Sequence, residues 1–203
     1  MIKNIIFDCG GVLTNCIPDE YVKALGLSKD EEKRFFDVIY HSSIWEKSDY
    51  GIYKSQDEMI EAFVEENKQD EQLIRRFFSP GWMMFYYPYQ IGQNFLIKLK
   101  KEGYKIYILS NYAKEGFAYC ENTYECFKYV DGKVVSADVG MIKPDPQIYD
   151  YLINKYNLNK DECIFLDDRE KNCDAAIKCG IKSVVYKHNV DEIYKIIKSY
   201  DKD

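Results

Sequence analysis

A chain of 203 residues, 46% hydrophobic and 31% charged, carries enough apolar material for one well-cored domain or for a core plus a smaller inserted lobe. Its net charge of −6 argues against nucleic acid or an anionic membrane as a partner held by long-range attraction, and no apolar run approaches the roughly 20 residues that span a bilayer. Seven cysteines, an odd number with no CxxC pair, point to reduced thiols in a cytoplasm and no zinc site, and the start from Met1 to Ile5 leaves no room for a signal peptide.

The first element is a short apolar run, Ile5 to Phe7, which reads as a buried parallel strand. It stops at Asp8, and Gly10 and Gly11 follow in a stretch where the backbone turns sharply. From Thr14 to about residue 87 the pattern is helical. Ser28-Lys29-Asp30-Glu31 and Ser55-Gln56-Asp57-Glu58 are capping boxes, opening helices with Phe35, Phe36, Val38 and Ile39 and with Met59, Ile60, Phe63 and Val64. A third stripe, Leu73, Ile74, Phe77 and Phe78, ends at Ser79-Pro80-Gly81, and no convincing strand interrupts the interval. It reads as a helical lobe inserted after the first strand.

From Pro88 helices and strands alternate. Ile91 to Lys101 predicts a helix stopped by Gly103, and Tyr104 to Leu109 the second strand. A helix over Ala113 to Tyr119 precedes a third strand over Lys133 to Ser136. Asp145-Pro146 starts a helix to about Tyr156, and Cys163 to Leu166 is the fourth strand. Cys173 to Cys179 predicts a helix ended by Gly180, Ser183 to Tyr186 the fifth strand, and Asn189-Val190-Asp191-Glu192 the cap of a last helix. This alternation predicts an α/β fold with right-handed crossovers and a mostly parallel sheet.

Four polar stretches fall at or just after these strands: Asp8, Ser110-Asn111, Lys143 and Asp167-Asp168. Open α/β sheets bind ligands at the carboxyl ends of their strands. Each stretch alone also has a plain reading, as a turn, a helix cap, a surface lysine or a solvated strand end. Together, FDCGGVLT (7–14), LSN (109–111), the lysine of GMIKPDP (140–146) and FLDD (165–168) resemble the four ordered motifs of the haloacid dehalogenase superfamily of phosphohydrolases. The resemblance covers essentially the whole chain. It implies a Rossmann-like core over residues 1–15 and 88–203, with a small α-helical cap of that superfamily's first cap class over 16–87.

The same resemblance implies the roles. Asp8 would be the nucleophile, forming an aspartyl-phosphate. A phosphate dianion repels a carboxylate, so a cation is needed between them; Mg²⁺ would be held by Asp8, the carbonyl of Gly10 and Asp168, with Asp167 touching it or supporting it. Ser110 and Asn111 would bind the transferring phosphoryl oxygens, Lys143 would offset their charge and pair with Asp167, and Gly11 would lie against the substrate. Asn172 has two readings, orienting metal-bound waters or capping a helix. The expected partner is a small phosphorylated metabolite, with the chain a monomer or homodimer.

Most phosphatases of the superfamily carry a second aspartate where this chain has Gly10. The lost function is general acid–base catalysis, worth about 10²–10⁴-fold. A missing base predicts slow breakdown of the phosphoenzyme. The chain resembles the subset with D-x-G in its first motif, the sugar-1-phosphate phosphatases, whose anomeric oxygen leaves more easily. His41 in the helical lobe is a candidate for a recruited acid, with packing as its plain reading, and His188 is a lesser one. A ligand-binding protein with impaired turnover is a second reading. A 2-haloacid dehalogenase is a third, opposed by the paired acids Asp167-Asp168. For specificity the stretch from His41 to Gly51 stands out: Trp45 and Tyr50 would stack on a sugar face, with Glu46 or Lys47 bonding hydroxyls, unless Trp45 packs within the lobe. Cys9 is expected to be a small buried residue, its side chain on the opposite face from Asp8.

Overall fold

The computed structural model describes residues 1–16, 18–79 and 81–200; Pro80, the expected helix stop, lies outside them, as do the side chains of Met84 and Phe85. The chain begins with β1 (Asn4–Phe7), which is followed by a turn and β2 (Thr14–Cys16). Five helices follow: α1 (Pro18–Ala24), α2 (Lys29–Phe35), α3 (Ser43–Asp49), α4 (Gln56–Glu66) and α5 (Glu71–Phe77). The chain returns through β3 (Tyr86–Pro88) into α6 (Gln90–Lys101), β4 (Lys105–Ser110), α7 (Lys114–Thr123), β5 (Gly132–Val135) and α8 (Ser136–Val139). It ends with α9 (Pro146–Lys155), β6 (Cys163–Asp167), α10 (Glu170–Lys178), β7 (Lys182–Val185) and α11 (Val190–Ser199).

β1 is buried at every residue because it is the middle strand of a parallel sheet ordered β5-β4-β1-β6-β7. Its alternate side chains serve two different cores. Ile5 and Phe7 pack with Phe95 and Leu99 of α6 and Ile193 and Ile197 of α11. Ile6 points the other way, into a cluster with Ile148 and Leu152 of α9 and Ala176 of α10. Helices thus cover both faces of the sheet. All five expected strands are present, each within about two residues of its predicted bounds.

Two strands escape the sequence reading. β2 and β3 pair antiparallel, Thr14 with Pro88 and Cys16 with Tyr86, where no strand was expected. Three residues are too few for an alternating pattern, and Tyr86-Tyr87 is hidden in an aromatic run. The ribbon brings the chain's exit to the five helices beside its return. Those helices bury Phe35, Phe63, Ile74 and Phe77, which continue the same apolar cluster that holds Ile5 and Phe7 of the sheet.

The caps differ in detail. Ser28 and Glu31 form the full reciprocal box, whereas Glu58 reaches back to the amide of Lys54 rather than that of Ser55. Asp145 caps α9 as expected, through the amide of Gln147. Asn189 stands at the N-cap of α11 without a capping bond; its side chain instead accepts from the amide of Lys187 and donates to Glu192. No helix among the described residues is long and apolar enough to cross a membrane.

Candidate active site

The carboxyl ends of β4, β1 and β6 meet at the point where the strand order reverses direction, the place where open α/β sheets form a crevice. Asp8 follows β1, Ser110 ends β4 and Asp167 ends β6, so three adjacent strands deliver three polar side chains to one spot. Lys143 arrives from the loop between α8 and α9. Its ammonium is buried, 2.9 Å from Asp8 Oδ1, 2.6 Å from Asp167 Oδ2 and 2.9 Å from the carbonyl of Leu109. The expected Lys143–Asp167 pair is therefore present, and the lysine bridges two carboxylates.

Asp8 is held asymmetrically. Its Oδ1 accepts from the amide of Cys9 and the hydroxyl of Ser110, each at 2.7 Å, and faces Lys143. Among the described residues no donor reaches Oδ2. Burial pushes the Asp8 carboxyl up to about 7; Lys143 opposes the rise and Asp167 adds to it. Burial also disfavours the charge on Lys143, but Asp8 and Asp167 hold its ammonium above the usual range.

Ser110 is fully buried and spends its hydroxyl on Asp8. Asn111 forms a reciprocal pair with the backbone of Lys143, its Nδ2 donating to the carbonyl at 2.9 Å and its Oδ1 accepting from the amide at 2.8 Å. Both residues therefore position Asp8 and Lys143. Asp167 is likewise saturated: it accepts from Lys143, the amide of Arg169 and the side chain of Asn172. Asn172 lies inside the first turn of α10, whose N-cap is Arg169, so the capping reading fails; the helix starts three residues earlier than its apolar stripe suggests. Its buried Oδ1 has no partner among the described residues.

Asp8, Asp167 and Asp168 each offer a carboxylate oxygen, all within 4.8 Å of one another. Asp168 is exposed, and burial of its carboxyl followed by the charge of Asp167 raises its pKa. Gly11 adopts φ +74°, and a β-carbon there would lie 2.5 Å from Asp168 Oδ2, so only glycine fits against that carboxylate. Gly10 differs. A β-carbon there would meet only the ring of Tyr112, at 3.7 Å, which is ordinary contact. A β-carbon is accommodated at position 10.

A cavity of about 350 Å³ opens over these groups. Asp8, Gly10, Gly11, Asn111, Lys143 and Asp168 form its floor. Trp45 lines it too, while its ring packs against Phe63 (5.5 Å) and Phe78 (5.8 Å), so it packs within the lobe and borders the cavity at once. Glu46 and Lys47 do not line it; one and two residues beyond Trp45, they face away, and Lys47 pairs with Glu66 at 3.3 Å. Tyr50 is exposed and outside it. His41 stacks on Phe36 and Tyr40, and His188 on Tyr89 and Tyr186, both away from the cavity. Cys9 is buried beside Thr14 as a small core residue, its Sγ 3.5 Å from the hydroxyl.

The cavity also holds residues the sequence reading passed over: Asn15, Arg169, Tyr112 and Asp49. Asp49 had a signal. It stands four residues after Trp45, and on a helix that spacing shares a face.

A model of the haloacid dehalogenase-like hydrolases matches residues 2–180. The chain belongs to that family. The haloacid dehalogenase-like chain is 26% identical to the D-ribitol-5-phosphate phosphatase of Bacteroides thetaiotaomicron, over 94% of its own length and 95% of the relative's. It is 26% identical to the sesquiterpene phosphatase of Aspergillus oryzae, over 88% and 87%. A solved structure of a HAD family enzyme from Bacteroides thetaiotaomicron, a magnesium complex, superposes with a TM-score of 0.73 and 25% identity, over 96% of this chain and 98% of that one.

Proposed function

We propose that this haloacid dehalogenase-like hydrolase is a Mg²⁺-dependent phosphomonoester phosphatase working through an aspartyl-phosphate on Asp8, beneath a helical cap spanning about residues 16–87. The observation that carries this reading is the asymmetry at Asp8, with one oxygen fixed by three donors and the other open to the cavity. The open oxygen attacks phosphorus as the ester P–O bond breaks, and water then attacks phosphorus and frees Asp8. Lys143 acts as a fixed positive neighbour, since all three of its donors are engaged.

The donor set fits Mg²⁺, a cation that prefers hard oxygens. Asp8, Asp168 and the Gly10 carbonyl would hold it, with Asp167 behind them and the unpartnered Oδ1 of Asn172 available to an ordered water. When bound, it would offset the repulsion between the carboxylates and a dianionic phosphate. The magnesium complex of the similar Bacteroides enzyme supports this.

The substrate is a small phosphorylated metabolite. The ribitol-5-phosphate phosphatase supports a sugar or polyol phosphate, and the D-x-G resemblance supports a sugar-1-phosphate within that class. One observation favours a second reading, an apolar phosphomonoester. A cleft of about 400 Å³ lined by Phe35, Ile39 and Phe77 shares Trp45, Tyr86 and Arg169 with the catalytic cavity, and a sesquiterpene phosphatase is among the relatives.

The test is phosphate release from a panel of sugar, polyol and prenyl phosphates, with Mg²⁺ and with EDTA, for wild type and Asp8→Asn. Release that needs both Mg²⁺ and Asp8 is expected. Undiminished release by Asp8→Asn would remove Asp8 as the nucleophile; analogue binding with Mg²⁺ but without turnover would favour the ligand-binding alternative.

A further inference from the structure

Gly10 leaves the core without its usual acid and base, although a β-carbon at that position would meet only the ring of Tyr112, at 3.7 Å. The two histidines are turned elsewhere. The helical segment nevertheless brings one carboxyl to the cavity. Asp49 is the last residue of α3 and lines the same cavity as Asp8, Gly10 and Lys143. Its carboxylate makes no hydrogen bond or ion pair with any described residue, Arg169 included. It also sits at the carbonyl end of a helix, where negative charge is disfavoured. Nothing in the packing of α3 calls for a carboxylate there.

We infer that Asp49 is the general acid and base of the reaction, delivered from the helical segment to fill the role that Gly10 leaves open in the core. The inference rests on the phosphatase reading above. In the first step the Asp8–P bond forms and the P–O bond to the leaving group breaks, as the Asp49 carboxyl gives its proton to the departing oxygen. In the second the Asp49 carboxylate takes a proton from water while the water oxygen bonds phosphorus. The Asp8–P bond breaks, phosphate departs, and Asp49 is protonated again.

The electrostatics agree with that cycle. Burial pushes the Asp49 carboxyl up to about 7; Arg169 and Lys143 pull it down, and Asp8 and Glu46 push it further up. A group near the working pH can both give and take a proton. The assignment also removes the expectation of an accumulating phosphoenzyme, since a base is present for its hydrolysis. It frees the enzyme from needing an anomeric leaving group.

The experiment compares wild type, Asp49→Asn and Asp49→Asn/Gly10→Asp on two esters: p-nitrophenyl phosphate, whose leaving group needs no proton, and an alkyl phosphate, whose leaving group does. Asparagine keeps the shape of the side chain, and circular dichroism checks each fold. For Asp49→Asn, a fall in kcat of about 10²-fold or more is expected on the alkyl ester. On p-nitrophenyl phosphate the variant should show a burst of about one nitrophenolate per enzyme followed by slow turnover, as the phosphoenzyme waits for a base. Adding Gly10→Asp should shorten that wait and restore alkyl turnover. Equal losses on both esters with no burst, or no loss at all, would overturn the role of Asp49 and leave the phosphatase reading intact. Wild type inactive on both esters would overturn the phosphatase reading and this inference with it.

Discussion

The floor of the cavity and its helical wall are built on opposite principles. On the floor the buried polar groups are tied to one another: Lys143 has three partners, Asp167 has donors on both oxygens, and Asn111 is clasped to the backbone of Lys143, while Oδ2 of Asp8 and the carboxylate of Asp168 are left to the cavity. On the wall Asp49 has no bonded partner among the described residues, and the ring of Trp45 is held by packing against Phe63 and Phe78. The floor is rigid because charge buried without partners is expensive. The wall is set by apolar contacts, which tolerate change in what faces the cavity. On the proposed mechanism the sheet would carry the phosphoryl chemistry, while the choice of leaving group and its proton would rest with the helices.

The largest effect should follow from cutting the lysine out of the floor. Lys143→Met removes the cation bonded to two buried carboxylates, Asp8 and Asp167. Removal of one partner from a buried ion pair costs about 3–5 kcal/mol, on the order of 10 °C in Tm for a chain of this length. Adding Asp8→Asn should recover part of the loss, because it removes one of the two repelling charges. Thermal unfolding of the single and double variants measures this. A Lys143→Met protein as stable as wild type would mean that the floor is not organised around its charges.

The difference between floor and wall also explains what could be read beforehand. The five sheet strands are legible because a parallel strand covered on both faces is a continuous apolar run between turn residues, as in Asn4–Phe7 and Cys163–Asp167. Asp8, Lys143 and the acid pair are legible because they fall at or after strand ends in the order of the motifs that the chain resembles. Their bonding is less so. Ser110 and Asn111 are turned to Asp8 and Lys143, a preference set by three-dimensional neighbours 102 and 32 residues away. The β2–β3 ribbon escaped because three residues carry no period. Asp49 is less legible because the stretch from His41 to Gly51 reads as a loop between capped helices, whereas residues 43–49 are helical and place Asp49 with Trp45 rather than with Glu46.

A smaller effect separates the two regions by pH. In metal-free protein the folded-state pKa values of Asp8 and Asp49 are raised to about 7 from a usual value of 3.8. Between those limits the folded state keeps protons that the unfolded state has lost, so stability falls as pH rises from about 4 to 7. Mg²⁺ needs the deprotonated carboxylates, so it should stabilise the protein more at pH 8 than at pH 5.5. At a hundredfold excess over Kd the gain is about 2.7 kcal/mol, or roughly 5–10 °C. Melting curves with Mg²⁺ and with EDTA at both pH values test this, and a gain independent of pH would count against a carboxylate metal site. Asp49→Asn should flatten part of the slope in EDTA and keep the Mg²⁺ gain.

The smallest effect should come from the seam between the two regions. Gly51, two residues beyond Asp49, has φ +73°, and a β-carbon there would lie 2.2 Å from the carbonyl oxygen of Ala137 in α8. Neither backbone can yield without parting, so Gly51→Ala should lift the end of α3 from the core by a few tenths of an ångström or more and cost about 1–2 kcal/mol through strain. The floor would be untouched. On p-nitrophenyl phosphate the burst should therefore keep its amplitude and rate. On a substrate whose leaving group needs Asp49, kcat should fall severalfold and KM should rise, because a carboxyl displaced from the departing oxygen no longer protonates it on time. If Gly51→Ala slows both esters alike, the seam transmits strain into the floor, and the two regions are less independent than their bonding implies.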